Sequence, residues 1–174
     1  MRAEFRSPRE LFSRFLPQLI YGANDGIVTT LAIVAGVVGA DLPAGIILIL
    51  GFANLFADGV SMGASAVLAE RSKPGTLLGW RQVWPIGAAT FIGFLCAGMI
   101  PLIAYLLPGL DGHRFQIAAA SAAITLFAVG TSRALVTPRQ WPVAGAEMLL
   151  IGAAAGGIAY GVGVAGAWLM SNPG

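Results

Sequence analysis

Apolar residues form five long runs in this 174-residue chain, and short polar or proline-containing connections separate the runs. Each run is close to the ~20 residues that an α-helix needs to cross a bilayer. We place these helices at about residues 19–40, 45–69, 84–107, 116–132 and 143–169. Prolines that favour turns lie in the connections, at Pro43, Pro74, Pro108 and Pro138. The pattern therefore predicts an all-α, polytopic membrane protein whose five helices form one domain over residues 19–174.

The segment before the first apolar run has a helical pattern of its own. Leu11, Phe12, Phe15 and Leu16 fall on one face of a helix over residues 8–17, away from the arginines. We therefore expect a short amphipathic helix at the membrane interface, within an N-terminal segment of residues 1–18.

The composition agrees with a membrane protein. The chain is 57% hydrophobic and only 10% charged, whereas a soluble domain carries about 25% charged residues. Membrane lipid is thus an expected partner, and the small net charge gives no reason to expect nucleic acid. The single cysteine, Cys96, excludes a disulfide within the chain and is expected to act as a small apolar residue.

Basic residues predict the orientation. Nine of the ten lysines and arginines flank the same ends of the predicted helices, and Arg114 alone lies on the other side. The positive-inside rule then places the N-terminus in the cytoplasm and the C-terminus outside. Five helices without an internal repeat cannot form two matching halves, so a symmetric pathway would need a second copy in a two-fold dimer.

Two aspartates interrupt the apolar runs, Asp25 in the first helix and Asp58 in the second. Insertion scales assign about 2.5–3.5 kcal/mol to an Asp near the centre of a membrane helix. A chain that carries this cost in neighbouring helices is expected to use the carboxylates.

Further polar side chains continue the pattern along both helices. Asn54, Asp58, Ser61, Met62 and Ser65 share one arc of the second helix, while Tyr21, Asp25 and Thr29 stack along the first. Carboxylate, amide and hydroxyl oxygens suit hard divalent cations, and a thioether shifts the preference towards metals such as Fe(II). A proton would compete with the metal for such a carboxylate, which is a physical basis for proton-coupled exchange. The candidate metal ligands are Asp25, Met62, Asp58, Asn54 and Ser61.

Glycines flank both aspartates as Gly22-x-x-x-Gly26 and Gly59-x-x-x-Gly63. We expect these motifs to bring the first two helices close to each other or to a second copy. The glycines of the fifth helix are interpreted as tight packing.

Three other ionisable residues allow a purely structural interpretation as well as a functional one. His113 fits a solvated loop better than an exit-side metal contact, and Glu147 fits the N-terminal end of a helix. Glu70 is more consistent with a solvated ion pair than with a role in attracting cations to the entrance of a transport pathway. Paired histidines, a catalytic carboxylate cluster and a phosphate cradle are not found in the sequence, so we do not expect an enzyme or a bound cofactor.

Within these stretches the chain resembles the vacuolar iron transporter family, which includes nodulin-like plant proteins and many bacterial members. The resemblance rests on Gly22-Ala-Asn-Asp-Gly26 through Gly36-Val-Val-Gly-Ala40, and on Ala53-Asn-Leu-Phe-Ala-Asp-Gly-Val-Ser-Met-Gly63. It continues more loosely through Gly130 with Arg133 and through Leu149-Leu-Ile-Gly152. The resemblance implies a dimer of five-helix protomers that moves ferrous iron, often manganese, out of the cytoplasm in exchange for protons. It also implies that Asp25 and Met62 line the pathway at the dimer interface.

The sequence departs from the plant iron carriers at two places. Asn54 stands where those carriers have a glutamate, and a short connection with Glu70 as its acid replaces their glutamate-rich cytoplasmic insert. Asp58 is expected to substitute for the missing carboxylate. We expect a short, bacterial-type or nodulin-like transporter of Fe(II) and/or Mn(II) in a bacterial inner membrane. The alternatives are a structural or assembly protein whose polar residues only join helices and, less favoured, a membrane-embedded enzyme.

Overall fold

The computed structural model describes residues 8–75, 78–110, 112–135 and 137–172, with side chains from residue 15 onward. Five long helices occur in these ranges, and a 3₁₀ turn, Arg133–Leu135, follows the fourth. The helices are α1 (Pro8–Gly39), α2 (Ala44–Arg71), α3 (Trp80–Leu106), α4 (Arg114–Ser132) and α5 (Trp141–Ser171). All five are long and apolar enough to cross a membrane, which confirms an all-helical, multi-pass membrane protein.

The first helix differs from the sequence-based expectation at its start. α1 continues without a break from Pro8 through Pro17 to Gly39, so the described residues contain no separate short helix ahead of the first span. Proline removes one backbone hydrogen bond from a helix, and the remaining turns of α1 continue on both sides of Pro17. The arginines Arg2 and Arg6 and the apolar face at Leu11 and Phe12 lie outside the residues whose side chains are described.

Backbone conformation and a local hydrogen bond mark the other helix ends. After α1 ends at Gly39, Asp41 adopts the left-handed backbone conformation, with a φ of 55°. Pro43 then caps the start of α2. At the start of α3, the Gln82 side chain accepts a hydrogen bond from the Gly79 backbone N–H at 3.1 Å. α3 then continues through the buried Pro101 to Leu106.

The centre of the bundle is α3, which packs most extensively on α1 and also on α2 and α4. One apolar cluster joins α1, α2, α3 and α4 around Phe94, Leu55, Leu102 and Val34. A second cluster, with Ile27, Ala97, Leu126 and Met148, joins α1, α3, α4 and α5. Apolar side chains thus fill the spaces between adjacent helices, while much of α2 and α5 is exposed.

The close approach of α1 to α3 depends on glycine. A Cβ atom at Gly22 or Gly26 would overlap the backbone carbonyl of Thr90 or Phe94 in α3, and a Cβ at Gly93 would overlap the carbonyl of Leu19. Gly63 of α2 likewise faces Gly87 of α3. The expectation that these motifs join α1 to α2 within the protomer is therefore wrong: both pack against α3, because glycines without a Cβ let the neighbouring helix approach closely.

Candidate functional site

Asp25 lies on α1 between the two glycines that contact α3, and it is half-buried. The glycines fix α1 against α3, so the position of the Asp25 backbone is set by direct helix contact. Thr29, one turn further along, donates its hydroxyl to the backbone carbonyl of Asp25 at 2.9 Å. The Thr29 proton is therefore used within the helix, and the Asp25 carboxylate is left to other partners.

The four candidate residues of α2 divide into two pairs. Asp58 and Ser61 are exposed on the protomer surface. Asn54 and Met62 are half-buried, and Met62 packs against the apolar cluster around Phe94. The amide nitrogen Nδ2 of Asn54 is buried and has no hydrogen-bond partner. α2 thus carries polar groups that the described part of the protomer leaves unsatisfied.

The two aspartates lie on neighbouring helices, α1 and α2, which contact each other in the protomer. Among the described residues, no basic side chain forms an ion pair with either carboxylate. Two like charges with no counter-ion inside apolar helices repel each other in a medium of low dielectric. A bound cation or a proton would relieve that repulsion.

The described residues of one protomer do not form a complete metal site. Within the described ranges, no three His, Cys, Asp or Glu side chains gather where they could hold a metal ion. Hard divalent ions take about six oxygen ligands, so two carboxylates need help from amide or hydroxyl oxygens, from water or from a second subunit.

The other ionisable candidates lie near the helix ends and have local partners or exposed positions. Glu70 pairs with Lys73 at 2.5 Å on the surface. Glu147 forms an ion pair with Arg139 and lies 3.7 Å from Arg133. His113 precedes α4 and is exposed, while its neighbour Asp111 lies outside the described residues. The pair with Lys73 agrees with the interpretation of Glu70 as part of a solvated ion pair. Glu147 lies beyond the first turn of α5, so its partners are the two arginines and not the N-terminal end of the helix.

Sequence reasoning gave no role to a second polar location, a cavity of about 410 Å³ beside Asn24. Its lining combines α1 with the segment after α4, and it includes Pro17, Ile20, Tyr21, Asn24, Arg133 and Thr137. Tyr21 and Asn24 are three residues apart, so the helical repeat could have placed them on one face. Nothing in the sequence indicated that Arg133 lies next to them.

Comparisons with known proteins agree with this architecture. The model of the VIT family matches residues 16–82 and 73–164 of the chain. A vacuolar iron transporter of Plasmodium berghei (strain Anka) is 40% identical over 67 residues, which are 38% of this chain and 24% of that relative. A vacuolar iron transporter of Toxoplasma gondii (strain ATCC 50861 / VEG) is 51% identical over 51 residues, 29% of this chain and 17% of that relative. Vacuolar iron transporter 1 of Tulipa gesneriana is 38% identical over 55 residues, 32% of this chain and 22% of the relative.

These alignments span about a quarter or less of the relatives' own length. The family match is much broader, since it extends from the beginning of the first membrane helix into α5. This chain belongs to the VIT family, because the family model matches most of its residues and the chain has the five apolar helices described above.

Proposed function

We propose that this chain is a divalent transition-metal transporter that exports Fe(II) and/or Mn(II) from the cytoplasm by proton antiport, through a pathway at a dimer interface. The observation that carries the proposal is a pair of carboxylates, Asp25 and Asp58, on two neighbouring helices that are long and apolar enough to cross a membrane. Because no described basic residue neutralises the two carboxylates, we expect them to bind a cation. The relatives are vacuolar iron transporters by name, which supports a metal cargo.

The proposed ligand set combines hard and soft donors. Asp25 and Asp58 supply the charge, Asn54 and Ser61 supply neutral oxygens, and Met62 supplies a thioether sulfur. Such a mixture favours a transition metal of intermediate softness over Mg²⁺ or Ca²⁺. Each carboxylate takes up either a proton or the metal, so the release of one accompanies the binding of the other.

A second copy of the chain is the proposed cover for the exposed face of α2. Asp58, Ser61 and Ser65 are exposed there, and facing lipid with an aspartate costs about 2.5–3.5 kcal/mol near the membrane centre. Small residues follow the same face at Ala57, Ser61 and Ser65, and small side chains allow two membrane helices to approach closely. A two-fold dimer through this face would double the carboxylates from two to four.

The proposed direction of transport follows from charge. Nine of the ten lysines and arginines flank the ends of the helices on the N-terminal side of the membrane, and the positive-inside rule assigns that side to the cytoplasm. With this orientation in a bacterial inner membrane, the proton gradient would drive metal outward.

Purified protein in proteoliposomes tests the function directly. We expect Fe(II) or Mn(II) flux that increases with an opposing proton gradient. Asp25→Asn should lower the flux more than about tenfold, because even outer-shell changes cost 10–100-fold at metal sites. Asp41→Asn is the matched control: Asp41 is exposed in the connection after α1, and asparagine tolerates its left-handed backbone.

Three results would count against parts of the proposal. Unchanged flux in Asp25→Asn would reject the site, and flux that ignores the proton gradient would reject antiport. Loss of folding or of dimers in Asp25→Asn, with no flux in the wild type, would favour the structural or assembly alternative.

A further inference from the structure

The cavity beside Asn24 adjoins the face of α1 that carries Asp25, since Tyr21 lines the cavity one helical turn before Asp25. Adjacent residues of a helix point about 100° apart, so Asn24 and Asp25 face different neighbours. Asn24 lines the cavity, while the described lining includes neither Asp25 nor Asp58. α1, the 3₁₀ turn after α4 and the first turns of α5 enclose the cavity. Its volume of about 410 Å³ lies in the range of small-ligand pockets.

Arg133 gives the cavity its charge. Both contacts of its guanidinium use Nη1, which lies 3.5 Å from the Met148 sulfur and 3.7 Å from a carboxylate oxygen of Glu147. Neither contact is a strong hydrogen bond at these distances. Nε and Nη2 make no hydrogen bond to any residue that the structure describes. A guanidinium carries five N–H donors, so most of its capacity is available to a ligand.

The surrounding charges leave a net positive site. Glu147 also pairs with Arg139, so one carboxylate faces two guanidinium groups. Arg139 does not line the cavity, and Arg133 does. The cavity therefore presents a partly uncompensated cation next to apolar walls formed by Pro17, Ile20 and Ile151.

Asn24 contributes to the lining of the cavity. Its Oδ1 atom is buried and makes no hydrogen bond with the described residues, so we assign it no contact with a ligand. Tyr21 and Thr137 contribute hydroxyl groups to the same lining. The Thr137 hydroxyl donates to the Arg133 backbone carbonyl at 2.8 Å, which holds the turn that carries the arginine.

We propose that this cavity binds a phosphate ester, with the phosphate on Arg133. Guanidinium groups bind phosphate through paired, charge-assisted hydrogen bonds. Anionic phospholipid head groups and soluble phosphate esters share this chemistry. Basic pockets between membrane helices are known to take lipid head groups, and the apolar walls suit a glycerol backbone.

Titration with defined lipids tests the proposal on the intact protein in neutral detergent. Native mass spectrometry would count bound dioleoylphosphatidylglycerol, with dioleoylphosphatidylcholine as the reference and glycerol 3-phosphate as the soluble arm. We expect about one tightly bound phosphatidylglycerol per protomer, and Arg133→Gln should raise its Kd about tenfold or more, as for loss of one charge-assisted hydrogen bond. Arg81→Gln is the matched control, because it removes the same charge from an exposed position at the start of α3, outside the cavity and away from Glu147.

The titrations with phosphatidylglycerol and with glycerol 3-phosphate distinguish a lipid ligand from a soluble one. Tight binding of glycerol 3-phosphate with the same dependence on Arg133 would identify a soluble phosphate ester as the ligand, and binding of phosphatidylglycerol alone would identify the lipid. Equal loss in both arginine variants, or no preference over phosphatidylcholine, would overturn the proposal. Ile151→Trp offers a second route if Arg133→Gln fails to fold: it fills the cavity, leaves the charges in place and should abolish the tight binding.

Discussion

The two faces of α2 have opposite characters within one helix. Towards α3, the helix presents Gly51, Leu55, Gly59, Gly63 and Val67, all buried. On the other side it presents Asp58, Ser61 and Ser65, all exposed. Helices in a membrane gain little from burying apolar side chains, because lipid is equally apolar. Close contact through small residues therefore builds the protomer, and the polar face remains for a partner, for the metal or for both.

The largest expected effect is at the face that contacts α3. A Cβ at Gly63 would already lie 2.9 Å from the carbonyl oxygen of Gly87, so Gly63→Leu would force α2 away from α3. Overpacking typically costs about 1–3 kcal/mol and more when backbone must move. We expect Gly63→Leu to lower the melting temperature in detergent strongly or to prevent folding, as measured by thermal melting of the purified protein.

A second leucine two residues away sharpens the comparison. Ser61 is exposed on the other face, so Ser61→Leu should leave the folded protomer intact. We expect it to remove dimers and metal flux together, because a bulky side chain would separate the proposed interface. Light scattering coupled to size-exclusion chromatography measures the dimer, and Ala120→Leu on the exposed surface of α4 is the control. A stable, active dimer of Ser61→Leu would place the interface elsewhere.

The sequence was sufficient for the parts of the fold that depend on the length and apolarity of each run. Five separated apolar stretches predicted five helices because a membrane span has a fixed thickness. That Asp25 and Asp58 lie close together stays a prediction, which rests on their similar depths in consecutive antiparallel helices. The candidate metal site itself stays a prediction, because its ligands include residues that a second copy would have to complete.

The sequence did not allow us to predict which helices contact each other. The spacing of Gly22 and Gly26 indicates a close contact but not which neighbour makes it, and the neighbour proved to be α3. The same spacing in α5 is less informative still: Gly152 and Gly163 contact other helices, whereas a Cβ at Gly157 or Gly161 would meet no described atom within 4 Å. The cavity at Asn24 and Arg133 likewise depends on how α1 and the end of α4 pack, which no local pattern specifies.

The smallest expected effect is at the end of α2, outside both faces. Glu70 pairs with Lys73 at 2.5 Å, and the lysine side chain is 59% exposed. Solvent-exposed ion pairs contribute about 0.2–1 kcal/mol at most, so Glu70→Gln should change the melting temperature very little. Metal flux at saturating substrate should also stay near that of the wild type if the site begins at the level of Asp25. A marked rise in the half-saturating metal concentration would instead give Glu70 a role in collecting cations at the mouth, and it would extend the polar face of α2 to the end of the helix.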